Sequence, residues 1–375
     1  CYTGDILDPE RSSTYTLDYY VDMAKELEAY GVHTLGIKDM SGILKPEAAY
    51  LLVKTLKDEV NIPIHLHMHD TAGNAVTAYS RAIDAGVDIV DVANAAISGT
   101  NSQPDGNALY YARQGKDRGV KVNPDANDEM EKYWSTTRQY YKPFESDLVS
   151  PWTGVYKYEM PGGQYSNILA QARSVGLGDR FDEVLEMYRR VNLLFGDIIK
   201  VTPSSKVVGD MSLFMVQNDL DEETVISEGK NLDFPDSVVS FMRGEIGQTV
   251  NGFNKELQEV IVKNGDIITD RPGNHIPAYD YEAAKEELLE IMPEEEIDDR
   301  ALLSNAIYPK VFKDYIINHE TFDKIEVLDS PSFFYGLDVG EEIDVTLRNG
   351  KQVTIKYLAQ GPVKEDGQRT MFYSL

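Results

Sequence analysis

Between residue 1 and about residue 115, two hydrophobic patterns alternate along the chain. Short apolar runs begin near Cys1, His33, Ile62 and Asp88, about 30 residues apart. The segments between them carry apolar residues at helical spacing. Leu17, Tyr20, Val21, Ala24 and Leu27 share one helix face, and Gly31 closes that segment. Pro46 opens a second helix with Ala49, Leu52, Val53 and Leu56 on its apolar side. A third runs from Ala75 to Ala85 and stops at Gly86. Alternation at this spacing predicts βαβ units around a parallel sheet, and so an α/β class. Four units and a following helix near Ala108 to Gln114 amount to half of a (β/α)8 barrel, or to a small open sheet.

Residues 116 to about 285 read as mainly helical. Val184, Leu185, Tyr188, Val191, Leu194 and Phe195 keep helical spacing until Gly196, and Ser204 to Leu220 reads as another helix. Asp270 to Asp280 reads as a linker, and the acidic stretch Tyr281 to Arg300 as a solvated helix face. The last segment changes period to two. Ile343, Val345 and Leu347, then Val353, Ile355 and Tyr357, alternate around Asn349-Gly350, which predicts a hairpin with a type I′ turn. Asp366-Gly367 marks a second turn. The expected divisions are 1–115, 116–328 and 329–375. Cys1 and Leu375 both fall in apparent strands, as if the chain were cut from a longer protein.

Composition narrows the function. The chain has 375 residues, 42% of them hydrophobic, and a formal net charge of −27. Such a surface repels nucleic acid and anionic membrane. No apolar stretch approaches the roughly 20 residues that span a bilayer, and no signal peptide is apparent. Cys1 is the only cysteine, which excludes disulfides and thiolate-rich metal sites. The expected setting is reducing and cytoplasmic.

The candidate chemistry lies in "IPIHLHMHDTAG". It holds three of the six histidines, His65, His67 and His69, at alternate positions that share one face of a strand. His67 and His69 come at the strand's C-terminal end, where parallel barrels carry their chemistry, and form a two-point metal mount. His65, one step deeper, reads as a hydrogen-bonded core residue. The alternative is that all three have ordinary partners. "IKDMSG" puts Lys38 at the end of the preceding strand. Lys38 either pairs with Asp39, Asp70 or another carboxylate, or is a desolvated amine that takes up carbon dioxide as an anionic, metal-ligating carbamate.

These segments, with "CYTGDI", "EMPGGQYSN", "KVTPSSKVVGDM" and "PSFFYGLDVGEEIDV", resemble the pyruvate carboxylase family across nearly the whole chain. The resemblance implies the C-terminal half of a TIM barrel, a helical extension of the carboxyltransferase domain, and an incomplete β-rich allosteric or tetramerisation segment. It implies carboxyl transfer from carboxybiotin to pyruvate, giving oxaloacetate. Lys38 would be N6-carboxylysine, binding manganese or zinc with His67 and His69. Thr202 would shuttle a proton between pyruvate and biotin, and Gln164 and Lys206 would line the biotin pocket. Read without the family, Thr202 is a helix cap or turn residue, and Gln164 and Lys206 are surface residues. Implied partners are the biotin carboxylase and biotinyl carrier domains of the same chain, in a homotetramer. The barrel's front half, with a metal-binding aspartate and a pyruvate-binding arginine, precedes this segment in the family. A half barrel leaves sheet edges open, so the fragment is expected to be inactive and poorly soluble alone. Ser41 and Ala72 depart from the common "KDMAG" and "HDTSGN", and Ala72 removes a hydroxyl near the metal strand. Two alternatives remain: an oxaloacetate decarboxylase or transcarboxylase-type subunit, and a non-catalytic oligomerisation fragment.

Overall fold

The computed structural model describes residues 1–8, 13–145, 148–323, 325–347 and 350–375. The chain divides into two compact units, Cys1–His275 and Ile276–Leu375.

In the first unit, helix α1 (Leu17–Ala29) leads into strand β1 (Leu35–Asp39), α2 (Pro46–Glu59), β2 (Ile64–Met68), α3 (Ala75–Ala85), β3 (Ile89–Val90) and α4 (Gly106–Ala112). The Thr16 hydroxyl caps α1, Pro46 occupies the first turn of α2, and Gly86 ends α3 in the left-handed region. The strands form one parallel sheet in the order β1-β2-β3. Burial alternates along them. Leu35, Ile37, Ile64, Leu66 and Met68 point into a core shared with Leu52, Val53 and Tyr79 of the helices. Enclosing a leucine such as Leu52 contributes about 2 kcal/mol. On the other face Gly36 and Lys38 are exposed, His65 and His67 half-buried, and Ile89 is 45% exposed. Parallel sheets are ordinarily covered on both faces. One packed face and one open face is what the lining of a barrel interior looks like along part of its wall.

The run at Cys1 is not a strand. Among the described residues only the Tyr2 amide bonds to the sheet edge, at the Lys38 carbonyl (2.7 Å), and the Thr3 amide goes to the Tyr20 hydroxyl instead. Gly4 has φ +70, which breaks an extended run. Tyr2 and Ile6 are apolar because they pack into the core, not because they pair.

Beyond α5 (Pro124–Tyr141) and the single turn α6 (Val155–Tyr158), helices α7 (Gly162–Ser174), α8 (Phe181–Leu194) and α9 (Ser204–Gln217) enclose a second core around Ile168, Tyr188, Phe195, Val208 and Met211.

In the second unit, Ala284 and Leu288 of the helix Tyr281–Leu288 are buried, and Leu288 packs with Met292, Ala301 and Ile316. The acidic stretch therefore carries an apolar face that seeds a small core, contrary to its reading as solvated surface. Strands β4 (Glu342–Thr346), β5 (Gln352–Gln360) and β6 (Met371–Ser374) form an antiparallel sheet with Ile343 opposite Ile355 and Val345 opposite Val353. Asn349 of the expected turn lies outside the described residues. The second turn is found where expected, with Gly367 at φ +79.

Candidate functional site

Register builds the site. Lys38 of β1 lies directly opposite His67 of β2, and neighbouring strands are about 4.8 Å apart. Both side chains take the open face. Their neighbours Asp39 and Met68 take the packed one and are fully buried. This separates Lys38 from the carboxylate next to it in sequence. Asp39 accepts from the amides of Gly42 (2.8 Å) and Leu44 (2.7 Å), closing the loop after β1. Burial pushes its pKa up to about 6, against the pull of those amides. Asp70 accepts from the Ala75 amide at the start of α3. Among the described residues neither carboxylate pairs with Lys38. Lys38 is exposed on this face, so these residues alone do not supply the desolvation that carbamate formation was expected to use.

Asp91, just past β3, was not singled out from the sequence. Its two oxygens meet His65 Nε2 and His67 Nδ1, each at 2.7 Å. Burial alone would raise the Asp91 pKa, but the two imidazole hydrogen bonds outweigh it and leave the carboxyl below its usual range. With Nδ1–H donated to Asp91, His67 presents the lone pair of Nε2, which the Gln103 amide nitrogen approaches at 3.4 Å. His65 is hydrogen-bonded as expected, but it lies half-buried on the open face and not in the core.

His69 lies one residue beyond β2, its amide donating to the Asp39 carbonyl (2.9 Å). Its ring centroid is 5.3 Å from that of His67. His69 Nδ1 is buried without a hydrogen-bond partner among the described residues. Burial, then the positive charges possible at His67 and Lys38, lower its pKa to about 4, so the ring is neutral at pH 7. Gly42 permits this approach. Its φ is +73, and a Cβ there would meet the His69 carbonyl oxygen at 2.6 Å.

A metal ion fits these residues in donor chemistry. Two imidazoles sit beside the lysine; that of His67 is oriented by a carboxylate, and that of His69 has a buried nitrogen without a hydrogen-bond partner among the described residues. The donor set is incomplete: among the described residues, no group of three His, Cys, Asp or Glu side chains gathers to hold a metal.

The remaining candidates lie on the helical layer. The N-terminus of α7 rests on the loop after β2. A Cβ at Gly162 would fall 2.3 Å from Asn101 Oδ1 and 3.0 Å from Thr71 Oγ1, two residues beyond His69. Gln164 follows on the same helix, and its amide lies against Gly209 of α9. Thr202, before α9, is exposed and lies in the turn that enters the helix, so its turn reading holds, while the N-cap position falls to Pro203. Ser204 does the local work, its hydroxyl bonding the Ile199 and Val201 carbonyls. Lys206 is exposed and ion-paired to Asp210, one turn along α9.

Comparison with known proteins places this arrangement. The conserved carboxylase domain family matches residues 155–356, and the HMGL-like family matches residues 6–107. Over 375 residues the chain is 54% identical to the pyruvate carboxylase of Staphylococcus aureus and 52% to that of Bacillus subtilis. It is 40% identical over 377 residues to the mitochondrial pyruvate carboxylase of Homo sapiens. All of the chain is covered in each match, but only 32% of each relative, so it spans about a third of their length. The carboxyl transferase domain of Rhizobium etli pyruvate carboxylase, solved also with pyruvate and biocytin, matches with a TM-score of 0.95 and 42% identity. That match covers 100% of this chain and 62–63% of the solved ones.

Proposed function

Since this chain belongs to the conserved carboxylase domain family, as a segment of a pyruvate carboxylase carboxyltransferase domain, we propose that it supplies one wall of the site that moves a carboxyl group from carboxybiotin to pyruvate, yielding oxaloacetate. The observation that carries this reading is the register that sets Lys38 beside His67, with the His69 ring next to it.

Pyruvate becomes a nucleophile only when its methyl carbon gives up a proton, and negative charge then develops on its carbonyl oxygen. His67, His69 and a carbamylated Lys38 would hold a divalent manganese or zinc ion, with the rest of the ligand set supplied from outside this segment. Such an ion would supply Lewis-acid stabilisation of that charge, an effect worth several kcal/mol. Asp91 keeps His67 in the ligating tautomer. Carboxybiotin's N–C bond breaks, releasing carbon dioxide and leaving a basic biotin enolate. Thr202 takes the methyl proton with its hydroxyl oxygen and passes its own proton to that enolate, which a hydroxyl can do without being ionised. The pyruvate enolate attacks the carbon dioxide to form oxaloacetate. Gln164 and Lys206 orient biotin. The α7–α9 layer over the loop after β2 excludes water, protecting the carboxyl group from loss.

The working protein is the full-length chain, with a biotin carboxylase domain, a biotinyl carrier domain and a homotetrameric assembly in a reducing, cytoplasmic setting. Its segments here divide by role as 1–115 for the barrel wall, 116–328 for the helical extension and 329–375 for the allosteric or tetramerisation segment. The test is Thr202→Ala in the full-length enzyme. Oxaloacetate formation is lost while ATP-dependent biotin carboxylation continues. Near-normal oxaloacetate formation would remove Thr202 from the mechanism.

A further inference from the structure

A buried charge cluster lies two residues before Thr202 and is not used by the chemistry above. The Lys200 side chain is 1% exposed, and its Nζ lies 3.0 Å from Glu159 Oε2 and 4.0 Å from Asp197 Oδ1. A charge this deep is costly unless paired, so the cluster holds only while its members stay in contact. Both acids sit in left-handed backbone, Glu159 at φ +55 and Asp197 at φ +53, a region that non-glycine residues avoid. Asp197 is further fixed by Asn192 Nδ2, which donates to its carboxylate (2.8 Å), and by the Tyr15 hydroxyl, which donates to its carbonyl (2.6 Å).

The positions of these residues along the chain are informative. Glu159 ends α6 and stands three residues before Gly162, where α7 begins its contact with the loop after β2 and leads to Gln164. Lys200 stands two residues before Thr202. Tyr15 belongs to the segment that enters α1 of the barrel wall. One ammonium therefore ties together the Thr202 loop, the α7 start and the wall. Thr202 itself is exposed and lies in the turn that enters α9, so its position follows the backbone of that turn.

The geometry points to Lys200 as the positioning residue of the Thr202 hydroxyl, acting through its buried pair with Glu159. This inference rests on the proposed role of Thr202. A misplacement of about 1 Å in a proton-transferring group can cost on the order of a hundredfold in rate, whereas the proposed metal ligands Lys38, His67 and His69 belong to β1, β2 and the residue after β2, not to this loop.

The test uses full-length enzyme carrying Lys200→Met, Lys200→Arg, Glu159→Gln or Thr202→Ala. The expected result for Lys200→Met and Glu159→Gln is a kcat for oxaloacetate formation lowered about tenfold or more. KM for pyruvate stays within about twofold, and ATP-dependent biotin carboxylation is retained. Lys200→Arg restores most of the lost kcat, because the pair is re-formed. If Lys200→Met fails to fold, Glu159→Gln, which keeps volume and a hydrogen-bond acceptor, decides the matter. A kcat within about twofold of wild type in Glu159→Gln overturns the inference, as does a loss appearing in KM instead of kcat. If Thr202→Ala is fully active, the role of Thr202 fails and this inference falls with it. If Thr202→Ala is inactive and the Lys200 and Glu159 variants are normal, only this inference falls.

Discussion

Asp91 grips His67 through a 2.7 Å hydrogen bond to Nδ1, and with its other oxygen it holds His65 at the same distance. One carboxylate thus orients two rings on one face of β2. Replacing it by asparagine removes the charge and one of the two acceptors. Removal of such an outer partner commonly costs 10–100-fold in metal affinity. We expect Asp91→Asn to raise the dissociation constant for manganese or zinc by about that range, measured by chelator competition on the full-length protein. An unchanged constant would mean that the ring is held by something else.

Asp39 plays a structural part. Its buried carboxylate closes the Met40–Leu44 loop through the amides of Gly42 and Leu44. Asp39→Ala leaves these donors without acceptors, at roughly 1–3 kcal/mol each. Amide exchange across residues 40–46 should accelerate by about 30-fold or more in the intact protein. Asp39→Asn should fall between. Wild-type protection in Asp39→Ala would show that water or a rearranged loop replaces the carboxylate.

His69 gives a pH signature. Its folded-state pKa is about 4, against 6.5 for an ordinary histidine. On acidification the unfolded chain therefore takes up this proton first. The contribution of His69 to stability is complete above pH 6.5 and is lost as the pH falls toward 4. For metal-free protein, the stability advantage of wild type over His69→Gln should shrink between pH 7 and pH 4.5. A difference that stays constant, or grows, would contradict a neutral buried ring.

Periodicity exposed the parts of the fold that depend on one element at a time. The faces of α1 to α3, the caps at Pro46 and Gly86 and the shared side of His65 and His67 follow from residue spacing and local chemistry. Contacts between elements were not legible in this way. Asp91 has the same parity as Ile89 along its strand, but that it meets His65 and His67 depends on the β2–β3 register, which no single segment encodes. Lys38 faces away from Asp39 because adjacent strand residues alternate, yet its alignment with His67 again needs the pairing. The Cys1 run misled because apolar residues that pack individually resemble a strand until a left-handed glycine is placed among them. The roles of Thr202, Gln164 and Lys206 came from likeness to relatives, since single polar side chains at or near the surface, on a helix or in the turn before one, carry no spacing signal of their own.

The central claim is that Lys38, His67 and His69 share an ion. Anomalous diffraction from crystals of the full-length protein, collected at the manganese and zinc edges, tests it most directly. The account predicts a peak about 2.0–2.3 Å from His67 Nε2 and from a ring nitrogen of His69, with added density on Lys38 Nζ reaching toward it. No peak at that position, or an ion bound elsewhere with Lys38 unmodified and turned away, would contradict it.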